Sequence, residues 1–127
     1  MPGKQTYRLG NLQLRIMQVL WNEGEATVAE VQKRLEGEPL AYTTVATMLR
    51  KMEDRRLITH REEGRRFIYE PAVREEDVAR SMAGDLVDRL FSGSLADAVS
   101  HLIESRDVSR HELAELQALI ETYKKRK

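Results

Sequence analysis

The spacing of hydrophobic and polar residues predicts helices along most of the chain. From about Leu12 to Trp21, apolar side chains return every three or four residues, which is the period of a helix with one buried stripe. Gly24 supplies a stop signal for this first helix. A second helix is predicted to begin at "TVAE", where Thr27 and Glu30 have the spacing of a capping box, and to end in the turn "GEPL".

The stretch "AYTTVATMLRKMEDRR", residues 41–56, predicts a third helix with an unusual outer face. Its apolar residues follow helical spacing and should face the core. The opposite side carries threonines where a solvated helix normally has Glu or Lys, and threonine loses rotamer freedom in a helix. Three threonines within five residues are costly on a face that is only solvated, so the pattern indicates a binding surface. The residues of this face are Thr43, Thr44, Ala46, Thr47, Arg50 and Lys51.

The segment "LITHREEGRRFIYEPAV" has the alternation of β-strands. We predict strands over Leu57–Arg61 and Arg65–Glu70, bridged by "EEG". Gly64 can supply the positive φ that a tight hairpin favours, and Pro71 ends the second strand. The hairpin follows the threonine-bearing helix directly, which is the place of a wing.

The remainder of the chain is predicted to form three amphipathic helices. The first reaches about Phe91, Ser94 and Asp97 mark the start of the next, and Ser109 with Glu112 forms a capping box before the last. Three such helices are too few to close a core of their own, so we expect a two-fold symmetric dimer; folding back on the front domain is the alternative. The expected dimer interface comprises Val78, Met82, Leu86, Leu90, Phe91, Leu95, Val99, Leu102, Ile103, Leu113, Leu116 and Ile120.

These elements predict a fold that is mainly α with a small β-hairpin. Residues 1–74 would form an N-terminal winged helix-turn-helix, and residues 75–127 a C-terminal three-helix dimerisation region. The chain has no net charge, but the first part carries 13 basic and 10 acidic residues and the second part 8 and 11. This asymmetry favours an anionic partner for the first part.

Composition restricts the class of protein. With 41% hydrophobic and 33% charged residues, the chain is typical of a soluble globular protein. The absence of cysteine excludes a disulfide framework and a thiolate metal site. The start lacks the apolar region of a signal peptide, and no apolar run approaches the ~20 residues of a membrane span. We therefore expect a cytoplasmic protein without membrane insertion.

Two helices joined by a short turn, the second with this threonine face, are typical of a helix-turn-helix. The second helix of such a unit enters the DNA major groove, where hydroxyl groups bond to phosphates or base edges and methyl groups contact thymine. Acidic residues near this helix and in the hairpin count against a large basic patch and fit local, specific contacts. The expected DNA-binding residues are Tyr42, Thr43, Thr44, Ala46, Thr47, Arg50, Lys51, Gly64, Arg65 and Arg66.

The sequence leaves two alternatives to DNA binding open. A winged-helix module that binds protein would keep the fold and the dimer, and the salt dependence of any DNA binding would distinguish it. A regulator gated by a small molecule is a third possibility, although no sequence feature shows a pocket. Catalysis is not expected, because His60, His101 and His111 have no catalytic or metal-ligand spacing. We expect no metal and no cofactor.

Six pieces of the chain occur in a characteristic order: "LQLRIMQVLW", "TVAEVQKRL", "AYTTVATMLRKMEDRRLI", "EEGRRFIYEPAV", "DRLFSGSLADAVSHLIE" and "DVSRHELAELQALI". Together they resemble the penicillinase-repressor (BlaI/MecI/CopY) family of winged-helix regulators, over about Leu9 to Ile120. The resemblance implies a homodimeric repressor that reads dyad operators containing TACA and TGTA and controls resistance or stress genes. It also implies a membrane metalloprotease sensor as a further possible partner.

The chain departs from this family's pattern in three places. A Gly commonly ends the third helix, but Arg56 stands there, so we expect that turn to close in another way. In the β-lactam-responsive repressors the sensor's cleavage falls between Asn and Phe, and the corresponding pair here is His101-Leu102. The copper-responsive branch ends in paired cysteines, which this chain lacks. By position, the recognition helix and wing of the family carry over to Thr43, Thr44, Thr47, Arg50, Gly64 and Arg65.

Overall fold

The computed structural model describes residues 6–37 and 39–127, so the first five residues and residue 38 of the predicted "GEPL" turn lie outside it. The described helices are α1 (Asn11–Glu23), α2 (Val28–Arg34), α3 (Tyr42–Asp54), α4 (Glu75–Leu90), α5 (Leu95–Ser105) and α6 (Arg110–Lys125). The strands are β1 (Ala26–Thr27), β2 (Ile58–Glu63) and β3 (Arg66–Pro71). The predicted fold, mainly α with a small hairpin, is confirmed.

Local sequence signals set several helix ends. Thr27 caps α2: its hydroxyl accepts from the Glu30 backbone N–H at 3.2 Å, and the Glu30 carboxylate accepts from the Thr27 N–H at 2.9 Å. The predicted capping box is therefore complete. Ser94 and Ser109 cap α5 and α6 with single hydroxyl bonds of 3.1 and 3.0 Å, which is one half of the box predicted at Ser109. Gly24, with φ of +85°, ends α1 as predicted.

The three strands form an antiparallel sheet in the order β1-β3-β2. The sequence does not predict β1, because two residues are too few to show a strand period. In the hairpin, Glu63 pairs with Arg66, so the loop is Gly64-Arg65 and lies later in the chain than the predicted bridge at residues 62–64. Gly64 has a φ of +64°, the left-handed conformation that glycine adopts without a steric cost.

The turn after α3 closes around an arginine. The Leu57 N–H donates to the Met52 carbonyl at 3.0 Å, and the Arg56 N–H donates to the Glu53 carbonyl at 2.8 Å. These are the two bonds of a Schellman motif, whose left-handed residue is usually glycine. Arg56 takes that place with a φ of +64°. The expectation of a different closure is wrong: the ordinary geometry is kept, with a strained residue in it.

A single apolar core orients α3. Val45, Leu49 and Met52 are wholly buried in it, as their spacing predicts, and the threonines are thereby turned outward. Val78 of α4 belongs to the same core, and Met82 packs against it. This corrects the assignment of Val78 to the dimer interface, because its apolar surface is already covered within its own chain.

The chain divides into two compact units, Met1–Gly84 and Asp85–Lys127. The division falls inside α4, ten residues after the domain boundary that the sequence suggests at Arg74. This division follows where backbone segments contact one another. The boundary predicted at Arg74 separates a DNA-binding part from a dimerisation part, which is a different property. The division of roles at residue 74 therefore stays a prediction.

Candidate nucleic-acid interface

The outer face of α3 presents hydroxyl groups and cations to solvent. Thr43 and Thr47 lie one turn apart, and Arg50 and Lys51 follow one turn further along the same side. Thr44 lies beside them, and all five side chains are exposed. The polar residues predicted for this face therefore lie together on one accessible surface.

A second stripe on α3 borders a cleft. Tyr42, Ala46 and Arg50 are spaced four residues apart, and they line a cleft of about 400 Å³ between α3, the start of α2 and the wing. Ala46 is half-buried and packs against the core, so its methyl group leaves space where a longer side chain would fill the cleft. The remaining lining comes from Thr27, which caps α2, from Val28 and Ala29 of α2, and from Arg65, Arg66, Phe67 and Tyr69 of the wing.

The cleft brings together half of the predicted DNA-binding residues: Tyr42, Ala46, Arg50, Arg65 and Arg66. The other half lies exposed outside its lining and comprises Thr43, Thr44, Thr47, Lys51 and Gly64. The start of α2 and the aromatic part of the wing were not among the residues predicted from the sequence. Strand alternation places Phe67 and Tyr69 on one face of β3, and this signal could have identified them.

Arg61 holds the wing to the start of the sheet. Its guanidinium donates to the two carboxylate oxygens of Glu25 at 3.1 and 2.8 Å, and to Glu63 at 2.8 Å. Hydrogen bonding to Arg61 lowers the pKa of Glu25, and both carboxylates raise the pKa of Arg61. Because Arg61 lies in β2 and Glu25 directly precedes β1, these bonds cross the full width of the sheet.

His60 joins the other face of the wing to α3. Its Nδ1 lies 2.8 and 2.7 Å from the two carboxylate oxygens of Glu53. The imidazole stacks on the Phe67 ring, with centroids 4.3 Å apart, and meets the Tyr69 ring at 5.6 Å. Burial raises the pKa of Tyr69, and the Glu53 carboxylate adds to the rise, so this hydroxyl stays protonated near neutral pH.

The carboxylates of Glu25, Glu53 and Glu63 bond to His60 and Arg61 and not to the other nearby basic residues. Arg50, Lys51, Arg65 and Arg66 are all exposed, and none of them forms an ion pair with another described residue. Unpaired guanidinium groups next to hydroxyl groups are the chemistry that binds phosphates and base edges. This surface can accept a polyanion without first breaking ion pairs of its own.

Side-chain hydrogen bonds join α3 to α1. Arg55, which follows the last turn of α3, donates to the Gln13 side-chain oxygen at 2.9 Å and to the Arg8 carbonyl at 3.1 Å. The Gln13 amide in turn approaches the Met48 sulfur at 3.6 Å. α3 is thus tied to α1 at two levels, which limits its freedom to tilt when a ligand binds.

The other histidines lie in the second unit, where the His101 ring meets the Phe91 ring with centroids 5.2 Å apart. His101 Nδ1 lies 3.0 Å from the Asp97 carbonyl, and His111 Nε2 lies 3.2 Å from the Glu115 carboxylate one turn along α6. Within residues 6–37 and 39–127, no three His, Asp or Glu side chains converge as metal ligands would. No helix in that part of the chain has the length and apolar character needed to cross a membrane.

The helices of the second unit expose large apolar side chains. Leu90 and Leu95 are 68% and 66% exposed. Leu86, Leu102, Leu113 and Ile120, all predicted for the dimer interface, are exposed, and Phe91, Val99, Ile103 and Leu116 are half-buried. The prediction did not include Leu119 and Tyr123, which are also exposed on α6.

Comparison with known proteins places the chain in a family. The family model described as Penicillinase repressor matches residues 9–122. The chain belongs to the penicillinase repressor family. The penicillinase repressor of Bacillus licheniformis is 28% identical over 125 residues, which cover 98% of each chain. The transcriptional regulator BlaI of Mycobacterium tuberculosis is 36% identical over 119 residues, covering 87% of this chain and 86% of the relative.

A solved structure of the penicillinase repressor family supports the fold of the first unit. The solution structure of the DNA-binding domain of the repressor BlaI matches with a TM-score of 0.51 and 29% identity. The match covers 59% of this chain and 93% of that domain. The resemblance deduced from the ordered sequence pieces is therefore confirmed, and the helix-turn-helix with its wing is a shared architecture.

Proposed function

We propose that this penicillinase repressor family member is a cytoplasmic, homodimeric repressor that binds a dyad operator and blocks transcription of resistance or stress genes. One observation carries the proposal. Arg50, Arg65 and Arg66, from α3 and the wing, converge on one cleft beside the exposed threonines of α3. None of the three forms an ion pair with a described carboxylate, although Arg66 is close enough to Glu30 to help lower its pKa. The names of its relatives, which include a transcriptional regulator and a penicillinase repressor, agree with this chemistry.

The two parts of the surface have different roles in this proposal. Thr43, Thr44 and Thr47 are short, so the axis of α3 can come close to the base edges of the major groove, with Arg50 reaching a guanine or a phosphate. Arg65 and Arg66 flank the tip of the wing and contact the DNA backbone. Backbone contacts set the register of the protein on the duplex, and the contacts of α3 select the sequence.

The exposed apolar surface of the second unit supports a dimer. A contiguous apolar surface on a soluble protein usually marks an interaction site, and a second copy of the chain supplies a matching surface under two-fold symmetry. Each protomer would then read one half of the operator. Linking two half-site contacts raises the affinity of the dimer far above that of one winged helix.

Fluorescence anisotropy tests the proposal directly. A labelled duplex carrying the TACA/TGTA dyad is compared with a scrambled duplex of equal composition, from low to physiological salt. We expect a preference for the dyad that persists at physiological salt. Equal binding to both duplexes that vanishes as salt increases would mean phosphate attraction alone. That result would overturn the proposal and favour a winged-helix module that binds protein.

A further inference from the structure

The wing is held on both of its faces. His60 and Arg61 are neighbours in β2, so their side chains point to opposite sides of the hairpin. On one side Arg61 bonds to Glu25, at the start of the sheet. On the other side His60 meets the carboxylate of Glu53, in the last turn of α3. Only the second contact joins the wing to the helix that presents the threonine face.

The contact between His60 and Glu53 lies next to the cleft. Glu53 is one turn after Arg50 on α3, so the two side chains are neighbours on the helix surface. The His60 ring stacks on Phe67 at 4.3 Å, and Phe67 and Arg50 both line the cleft. A shift of His60 relative to Glu53 would therefore change the separation of α3 and the wing.

We propose that His60 and Glu53 are positioning residues: their contact sets the wing at the distance from α3 that one DNA site requires, and a proton on His60 strengthens it. The inference rests on the proposed function, since it concerns how the same surface is held in shape. Neither His60 nor Glu53 needs to touch DNA for this role. This role differs from that of Thr43, Thr47 or Arg50, because loss of one of those side chains would remove a proposed contact with the DNA itself.

Protonation acts on this contact through charge. An imidazolium donating to a carboxylate forms a charge-assisted hydrogen bond, which is stronger than the bond made by neutral imidazole. The titratable or charged groups facing His60 are Glu53 from α3, Tyr69 from β3 and Glu62 on its own strand, with Arg50 beyond Tyr69. The contact should therefore be weaker with neutral imidazole than with imidazolium, and weaker again where an uncharged amide replaces the Glu53 carboxylate.

Operator affinity at two pH values tests the role of the charge. In Glu53→Gln the side chain keeps its size and an oxygen acceptor but loses its charge. We expect the wild type to bind the dyad duplex more tightly at pH 6 than at pH 8, and the variant to bind about two- to fivefold more weakly per half-site at pH 6, in the range of a partly exposed ion pair. At pH 8 the difference should be smaller.

Two further variants isolate the effect. His60→Phe preserves an aromatic ring against Phe67 but cannot form the ion pair, so it should reproduce the loss seen for Glu53→Gln. Glu115→Gln is the matched control, because it removes the carboxylate beside His111 in an exposed pair on α6. The control should keep the wild-type ratio of the affinities at pH 6 and pH 8, which shows that loss of a carboxylate elsewhere on the protein does not change this ratio.

Amide hydrogen exchange on DNA-free protein separates this inference from the proposed function. Glu53→Gln and His60→Phe should speed exchange in Ile58–Glu63 and Arg66–Pro71 and leave α1 unchanged. A wild type with no preference for the dyad would overturn the proposed function, while exchange would still test the positioning role. Wild-type exchange in both variants, or an unchanged pH ratio in a protein that does select the dyad, would overturn the positioning role.

Discussion

At the scale of single residues, Arg56 occupies a backbone conformation better suited to glycine. Its φ is +64°, and a side chain in this left-handed region costs about 1 kcal/mol or more. The Schellman bonds around it are backbone bonds that a glycine would keep. We predict that Arg56→Gly raises the free energy of unfolding by about 1 kcal/mol, measured by urea denaturation.

Arg56→Ala is the control for this substitution. It removes the same arginine atoms but retains a Cβ at the same positive φ, so its stability should lie below that of Arg56→Gly. Equal unfolding midpoints for the two variants would show that the left-handed conformation stores no strain. The family resemblance marked Arg56 as unusual at this position. It did not show whether the turn would change its hydrogen bonds or Arg56 would adopt a positive φ.

Arg50 is the residue on which we expect the proposed DNA-binding surface to depend most directly. It belongs both to the outer face of α3 and to the lining of the cleft. We predict that Arg50→Ala weakens binding to the dyad duplex by about 1–3 kcal/mol, as expected for loss of a base or phosphate contact. Anisotropy at physiological salt measures the change.

Arg80→Ala is the matched control for Arg50→Ala. Arg80 is also exposed, lies on α4 and pairs with Asp77, and it does not line the cleft. Its removal should therefore leave affinity within twofold, or about 0.4 kcal/mol. Wild-type affinity in Arg50→Ala would remove this arginine from the interface.

At the scale of secondary-structure elements, the sequence predicts helices and strands that have a periodic apolar pattern. It does not predict a very short strand or a side-chain contact between two separate elements. The period of Val45, Leu49 and Met52 identified the buried side of α3, and hence its outer face. The two residues of β1 carry no period. The contact of His60 with Glu53 joins a strand to a helix, and no spacing rule for one element can reveal it.

The start of α2 offers an element-scale prediction. Thr27 is almost fully buried, and its hydroxyl satisfies a backbone N–H of the first turn. Thr27→Ala should lower the free energy of unfolding by about 1–2 kcal/mol in urea titrations, because a cap is lost inside the fold. Thr44→Ala is the control: Thr44 is exposed in α3, and alanine favours helix, so stability should be unchanged or slightly higher.

The contribution of the Glu30 carboxylate to stability should depend on pH. Hydrogen bonds from Thr27 lower the pKa of Glu30 in the folded protein. A lowered pKa means that the stabilisation is present above the unfolded value of 4.5 and is lost as pH falls through the folded value. Thr27→Ala keeps the backbone N–H that bonds to the Glu30 carboxylate, so Glu30→Gln is the variant that tests this effect. The difference in unfolding free energy between wild type and Glu30→Gln should narrow in acid. A gap of constant size down to acid unfolding would contradict the role of the Glu30 carboxylate.

At the scale of the whole molecule, the two compact units differ in how they use apolar surface. The first gathers its buried apolar side chains into one core and exposes the aromatic rings of Tyr42 and Phe67, and the second leaves leucines on α4, α5 and α6 exposed. The sequence showed the apolar stripes but could not separate those buried within the chain from those left for a partner. Val78 illustrates this: it continues the α4 stripe of Leu86 and Leu90, yet it lies in the core.

Dimer formation is the prediction that joins the two units in function. Leu90→Asp places a charge on a side chain that is 68% exposed in one chain, so the fold of the protomer should survive while burial against a second copy becomes costly. Leu116→Asp should act in the same way from α6, and the exposed Gln117→Asp is its matched control. Light scattering should give a monomer for both leucine variants and a dimer for the control.

The affinity of the two leucine variants for the operator should fall as dimerisation is lost. Each monomer retains one half-site contact and loses the added affinity that comes from linking two half-sites. A folded Leu90→Asp protein that remains a dimer would place the interface elsewhere.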